Sequence, residues 1–352
     1  MTKKLHIFNP EHDIALASNL ANFTAPHAGR HLRSDLGWLP ALWAAEDDFV
    51  LVDNIDHAQR SWRRIRARVG RGDVCFVEKA DLLRLGIDRV APWGWDLALR
   101  AYLLRNGVLH VPSEQYIADV RRLSHRRTAA QLLSALISVE GTVGDSREVV
   151  SVAEVNDLVA EHGRVVVKAP WSSSGRGLRF LNAPADEFQQ RWLQNVIAAQ
   201  GSVMIEPQYD RVRDFGLEFE AADNGIRYLG LSLFHTKNGA YTGNVLTSEE
   251  DKRDMISRYV SIGLLDDIQG KILSNLDLGT YRGPFGIDMM VVRNKEGVKG
   301  QGERGRLHPC VEINLRRTMG HVALALTPAD DVRKVMRIDF NGQNYKLKIN
   351  KL

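Results

Sequence analysis

The 352-residue chain is 44% hydrophobic and 26% charged, with a formal net charge of +4. That balance fits a globular protein large enough for two or three domains and a sizeable core, and it excludes a disordered or fibrous chain. No apolar run is long enough to span a bilayer and no signal-peptide core follows Met1; Cys75 and Cys310 alone support neither a disulfide framework nor a Cys-based zinc site. A cytoplasmic protein with no membrane partner is expected.

The chain begins with a short apolar run, 4–8, expected as a buried first strand, followed at once by the polar loop Asn9-Pro10-Glu11-His12-Asp13. Phe49-Val50-Leu51-Val52, with Asp53 at its end, reads as a second strand, and Val74-Cys75-Phe76-Val77 as a third. Between these two lies a helical stretch, 55–69, with Arg60, Arg64 and Arg68 on one stripe. The stripe is read as a solvated face, because no nucleic-acid motif accompanies it. Strands alternating with helices predict an open, largely parallel α/β sheet whose ligands bind at the C-terminal ends of its strands. A helix over 94–106 stops at Gly107, and another is expected over 125–137, with a domain boundary near 118.

From 148 the pattern changes. Ser151 and Glu154 form a capping box for a helix over 152–161. A strand then ends in Lys168, a loop of small residues occupies 169–177, and 178–181 returns as the second arm of a hairpin. After a helix over 185–198, a strand over 202–207 carries Glu206 at its exit. Alternating strands at 215–220 and 227–234, helices over 248–262 and 266–276, and a terminal hairpin turning at Asn341-Gly342 complete the pattern.

The most informative residues come late. In Gly286-Ile287-Asp288-Met289-Met290 the acid faces away from Ile287 and Met289. In Glu312-Ile313-Asn314-Leu315-Arg316 the acid, amide and guanidinium share one face of a strand. Two carboxylates and an amide oxygen are hard ligands suited to Mg²⁺, and an arginine beside them suits phosphate.

A strand ending in Lys168, a Ser/Gly loop behind it, Glu206, and the pair carrying Asp288, Glu312 and Asn314 stand in the order of the ATP-grasp superfamily, which residues 120–325 resemble. The resemblance implies an α/β fold with α+β lobes: an N-terminal open α/β pre-ATP-grasp-like domain (1–118), a first ATP-grasp lobe (119–201), and a second lobe with the metal site (202–352). It implies that Lys168 and Arg126 meet phosphate; family members more often have Lys at the position of Arg126. Ser173, Ser174, Gly175 and Gly177 would fold over the β- and γ-phosphates, offering N–H groups without obstruction by Cβ. Glu206 and Tyr209 would border the adenine hinge, where Pro207 departs from the pattern by lacking an N–H. Asp214, or else Glu218, would meet the ribose. Asp288, Glu312 and Asn314 would hold one or two Mg²⁺ ions, with Mn²⁺ as the substitute. Arg316 would contact the transferred phosphate, and Lys237 the phosphate or the acceptor.

Two stretches stay open between a functional and a bland reading. The segment 235–244 is either a substrate loop or an exposed turn. The loop Asn9, Glu11, His12 and Asp13 either binds the amine or another polar part of a substrate, or caps a helix. The expected activity is that of an ATP- and Mg-dependent ligase joining a small-molecule carboxylate to an amine or thiol through an acyl phosphate, with no nucleic-acid partner and a homodimer left open. The alternatives are a small-molecule kinase on the same fold and a non-catalytic nucleotide-binding module. None of the 11 histidines falls in a triad or a metal spacing, and ligase chemistry needs no side-chain nucleophile.

Overall fold

The structure, a computed structural model, describes residues 3–172, 177–237, 240–294, 305–327 and 332–352, the side chains of Lys237 and Ala240 excepted. The chain divides into two compact units. Unit 1 comprises Met1–Arg122, Thr242–Ser248 and Leu315–Leu352; unit 2 comprises Leu123–Tyr241 and Glu249–Asn314. The contacts thus draw the first boundary near 122 and group the segment from Leu315 onward with the N-terminal part of the chain rather than with 202–314.

Unit 1 is built on a parallel sheet of β1 (Lys4–Ile7), β2 (Phe49–Leu51), β3 (Cys75–Val77) and β4 (Arg89–Pro92), in the order β3-β2-β1-β4. Parallel neighbours need crossovers, and the helix Ile55–Val69 supplies one. Asn54 caps it by accepting from the His57 N–H, Ala58, Trp62 and Ile65 face inward, and Gly70 closes it at φ 61°. Arg60, Arg64 and Arg68 are exposed, as a solvated stripe requires. Leu5, Ile7, Phe49, Leu82, Leu99 and Leu103 form the apolar centre. Inside it, His6 Nε2 meets Asp48 Oδ2 at 3.0 Å, yet burial still holds the imidazole below its usual range.

The later part of unit 1 is tied back by non-local bonds. β14 (Lys334–Phe340) and β15 (Tyr345–Lys351) form the expected hairpin. The Tyr345 N–H donates to Asp35 Oδ2 at 2.7 Å, and the Arg317 N–H to the Trp93 carbonyl at 2.8 Å. The helix Met319–Leu326, capped by Thr318, packs on the 3-10 turn Leu39–Leu42.

Unit 2 contains two antiparallel sheets. The first, in the order β5-β8-β6-β7, joins Arg147–Val149, Val203–Pro207, Val165–Lys168 and Leu178–Leu181. Helices Val152–His162 and Glu187–Gln200 cover one face through Val155, Leu158, Val159 and Leu193. The second sheet runs β10 (Gly225–Lys237), β9 (Arg211–Ala222), β12 (Gly283–Val292), β13 (Arg306–Asn314). Helix Arg126–Leu136 packs on β13 and on the helix Ile262–Asn275. β11 (Ala240–Leu246) follows β10 in the chain, and its Asn244–Leu246 part pairs with β14 inside unit 1. Among the described residues no helix is long and apolar enough to cross a membrane.

Candidate active site

The rigid part of the site is set by sheet register. Across β6 and β8, Lys168 stands opposite Met204 and Val166 opposite Glu206, which makes Lys168 and Glu206 diagonal neighbours. Lys168 Nζ donates to Glu206 Oε2 at 2.6 Å, and both residues are over nine-tenths buried. Burial, the largest single influence, would raise the Glu206 carboxyl; the charge and hydrogen bond of Lys168, with His308 and Arg126 beside them, together outweigh it and hold the carboxyl below its usual range. Arg126, itself buried, opens the helix Arg126–Leu136 and connects three parts of unit 2. Its Nε donates to the Ala169 carbonyl at 3.1 Å, and its Nη2 reaches Ser172 Oγ at 3.3 Å and Glu312 Oε1 at 2.9 Å.

The second sheet presents the acidic wall. Gly216, Asp288 and Glu312 form one row across β9, β12 and β13; Glu218, Gly286 and Asn314 form the next. Asn314 Nδ2 donates to Asp288 Oδ2 at 3.2 Å. A Cβ on Gly216 would lie 3.3 Å from Asp288 Oδ1 and 3.8 Å from Glu218 Oε1, so the glycine keeps open a cradle between carboxylates. Among the described residues no three of His, Cys, Asp and Glu converge as a self-sufficient metal cluster. The set here is two carboxylates and one amide. That donor set fits Mg²⁺ of the kind that takes one or two carboxylates and completes its shell with water and phosphate oxygens.

The expected site residues are brought together unevenly. Lys168, Glu206, Arg126, Glu312, Asp288 and Asn314 belong to unit 2 and are linked by the contacts above. Gly177 holds the base of the small-residue loop, its carbonyl accepting from the Ala169 N–H at 2.8 Å. Ser173, Ser174 and Gly175 lie outside the described residues, as does the Lys237 side chain. At the expected hinge, the Gln208 N–H is committed to the Arg164 carbonyl at 2.8 Å and Pro207 has none, so Tyr209 is the next amide in line. Asp214 Oδ2 accepts from Thr236 Oγ1 at 2.7 Å and faces Arg211 Nη1 at 3.1 Å. Glu218 sits in the row of Asn314, two rows away from the one that pairs Asp214 with Met290.

Arg316 departs from the expected alternation. β13 ends at Asn314, and Arg316 belongs to unit 1, where its Nε and Nη2 hold both oxygens of Asp13 at 2.8 and 2.7 Å. The physical reason is the turn that follows: Thr318 begins a new helix, so the strand cannot continue through Arg316.

One residue near the site was not anticipated. His308 on β13 is fully buried, neither ring nitrogen has a partner, and the edge of Tyr209 lies against it with ring centres 5.6 Å apart. Burial pushes its pKa down to about 4 despite the nearby Glu206 carboxylate, so it is neutral at pH 7. Extending the alternation of Glu312 and Asn314 backwards through Cys310 reaches His308, and that was the available signal.

No protein-family model matches the chain. No curated protein matches it either. Solved structures do. N5-carboxyaminoimidazole synthetase from Staphylococcus aureus, complexed with ADP, aligns with a TM-score of 0.51 and 13% identity over 97% of this chain and 84% of the other. Biotin carboxylase from Campylobacter jejuni aligns with a TM-score of 0.47 and 14% identity over 82% and 75%. D-alanyl-alanine synthetase A from Vibrio cholerae aligns with a TM-score of 0.44 and 11% identity over 94% and 91%. With the motif order of Lys168, Glu206, Asp288 and Glu312 set on this pair of antiparallel sheets, the chain has the ATP-grasp fold.

Proposed function

We propose that unit 2 binds Mg-ATP and that the chain is a ligase joining a small-molecule carboxylate to an amine or thiol through an acyl phosphate. The observation that carries this reading is the linked set Lys168–Glu206, Arg126–Glu312 and Asn314–Asp288 on one ATP-grasp unit. The likeness to a synthetase complexed with ADP supports the nucleotide.

In this reading Lys168 contributes a point charge to phosphate, aimed by Glu206, and Arg126 contributes a second that Glu312 and Ser172 orient. Asp288, Glu312 and Asn314 would hold Mg²⁺, which supplies neutralisation of the phosphate charge. Ser173, Ser174, Gly175 and Gly177 cover the phosphates and exclude water. Tyr209 and Asp214 take the base and the ribose, and Lys237 meets the acceptor. The protein positions and stabilises charge, and no covalent enzyme intermediate is needed.

Incubation with Mg-ATP and a panel of carboxylates and amines tests the assignment. ADP, phosphate and a new amide or thioester are expected. A phosphorylated acceptor would replace the ligase reading with a kinase one, and tight Mg-ATP binding without turnover on any acceptor would leave a nucleotide-binding module. Glu312→Gln should abolish Mg-dependent turnover with the fold intact; turnover that survives with unchanged Mg²⁺ dependence removes the metal assignment.

A further inference from the structure

Unit 1 encloses a cavity of about 230 Å³ where the chain leaves β1 and β2, the position at which open parallel sheets receive ligands. None of the residues assigned above to nucleotide or metal lines it. Its walls are apolar at Phe8, Phe23 and Leu99 and charged at Glu11, Arg30, Arg33, Asp53, Asp96 and Arg105.

Glu11 is the informative residue. It precedes the helix His12–Ser18 but makes no side-chain capping bond, which removes the helix-capping reading of this carboxylate. Glu11 is 8% exposed. Oε1 accepts from Arg33 Nη1 at 2.6 Å; Oε2 is buried without a partner. Burial raises the carboxyl, with Arg33 opposing it. A buried acceptor left unpaired costs about 1–3 kcal/mol, so the fold keeps this acceptor unpaired at a stability cost. Asn9 and Asp96, also on the pocket wall, are instead bonded to each other at 3.3 Å, and the Asn9 amide also donates to the Gly94 carbonyl at 2.8 Å. Arg30, on the same helix as Arg33, is anchored on the Ala25 carbonyl and adds a second guanidinium.

A carboxylate and a guanidinium in contact, with one carboxylate oxygen unspent, complement a ligand in which a cationic donor and an anion are also neighbours. The volume lies below the roughly 300–1,000 Å³ of drug-sized ligand pockets. We propose that this pocket binds a small α-amino-acid-like zwitterion, its ammonium donating to Glu11 Oε2, its carboxylate on Arg30 and Arg33, and its apolar side chain against Phe23 and Leu99. The inference goes beyond the nucleotide reading and does not rest on it.

Calorimetric titration of the full chain without nucleotide tests it, using both enantiomers of alanine, valine, leucine and phenylalanine, with glutamate and lysine as charged-side-chain controls. At least one apolar amino acid should bind with Kd below about 1 mM, and the matching carboxylate without an amine and amine without a carboxylate should each bind at least about tenfold more weakly. Glu11→Gln should make the amino acid and its amine-free carboxylate bind equally. Ala98→Phe, which puts a bulky uncharged side chain at a small pocket-lining position, should abolish binding and covers the case in which the first variant does not fold. The absence of saturable binding for every probe, glutamate or lysine binding as tightly as the best apolar amino acid, or binding unaltered by either variant overturns the proposal.

Discussion

Lys168→Met should separate the structural role of the Lys168–Glu206 pair from its role in binding. The two charges meet at 2.6 Å and are over nine-tenths buried. Removing one partner of such a pair leaves an uncompensated buried charge and costs about 3–5 kcal/mol. Replacing both by neutral groups of similar volume is often neutral, so Lys168→Met with Glu206→Gln should recover most of that loss. The deficit of the single variant is also pH-dependent. In the parent protein Glu206 is held below its usual range, so its contribution is present above the unfolded carboxylate range and is lost as pH falls through the depressed folded value. Without Lys168, burial dominates and raises the carboxyl above its unfolded value, and protonation then favours the folded state. The gap between Lys168→Met and the parent protein should therefore narrow as pH falls from neutrality towards the carboxylate range. Urea unfolding at several pH values reads this, and titration with a fluorescent ATP analogue reads binding. Nucleotide affinity should stay low in the double variant even though stability returns. A single variant as stable as the parent, or a deficit independent of pH, refutes the buried-pair account; a double variant that binds nucleotide normally removes Lys168 from the phosphate site.

Three further outcomes are expected. His308, with its pKa down to about 4 against an unfolded value of 6.5, binds fewer protons when folded, so stability should fall as pH drops through that window, by up to about 3 kcal/mol; His308→Leu should flatten that part of the stability–pH curve. Gly216→Val places a side chain in the cradle beside Asp288 and Glu218 and should raise the Mg²⁺ concentration for half-maximal nucleotide binding by about tenfold, or about 1.4 kcal/mol, with the far-ultraviolet spectrum unchanged. Asp13→Asn breaks the bidentate clasp on Arg316 and should cost about 2 kcal/mol by chemical denaturation, since both side chains are 17% exposed.

What could be read from the sequence was local. Lys168 at a strand end and the hairpin through 178–181 follow from short apolar runs of a few residues, and a period of two turns Asp288 away from Ile287 and Met289 and puts Glu312 and Asn314 on one face, while the pairing of Asp288 with Glu312 is set by register. The helix His27–Leu36 was missed because its stripe is mostly polar, with few apolar residues at helical spacing, whereas Glu114–Leu123 was missed although Ile117, Val120 and Leu123 recur at helical spacing and are buried. Partnerships across long separations were out of reach: Lys168 with Glu206 spans 38 positions, and Asp13 with Arg316 spans 303. No local pattern indicates that a glutamate keeps one oxygen bare or that an imidazole is sealed from water, because both depend on packing by elements distant in the chain. The same holds for the grouping of Leu315–Leu352 with unit 1, fixed by β-pairing and by contacts to Asp13, Asp35 and Trp93.

That interleaved path affects how the protein can be made and divided. A chain that leaves unit 1 after Arg122, revisits it for Thr242–Ser248 and re-enters it at Leu315 has no contiguous stretch corresponding to that unit. During synthesis the first 122 residues emerge long before Arg316, Arg317 and Tyr345, so the bonds these make to Asp13, the Trp93 carbonyl and Asp35 form only once the rest of the chain has followed. A fragment cut at the first boundary would expose the surface on which Met319–Leu326 packs. A unit 2 fragment, by contrast, has one internal excursion, Thr242–Ser248, which a short glycine-serine bridge can replace.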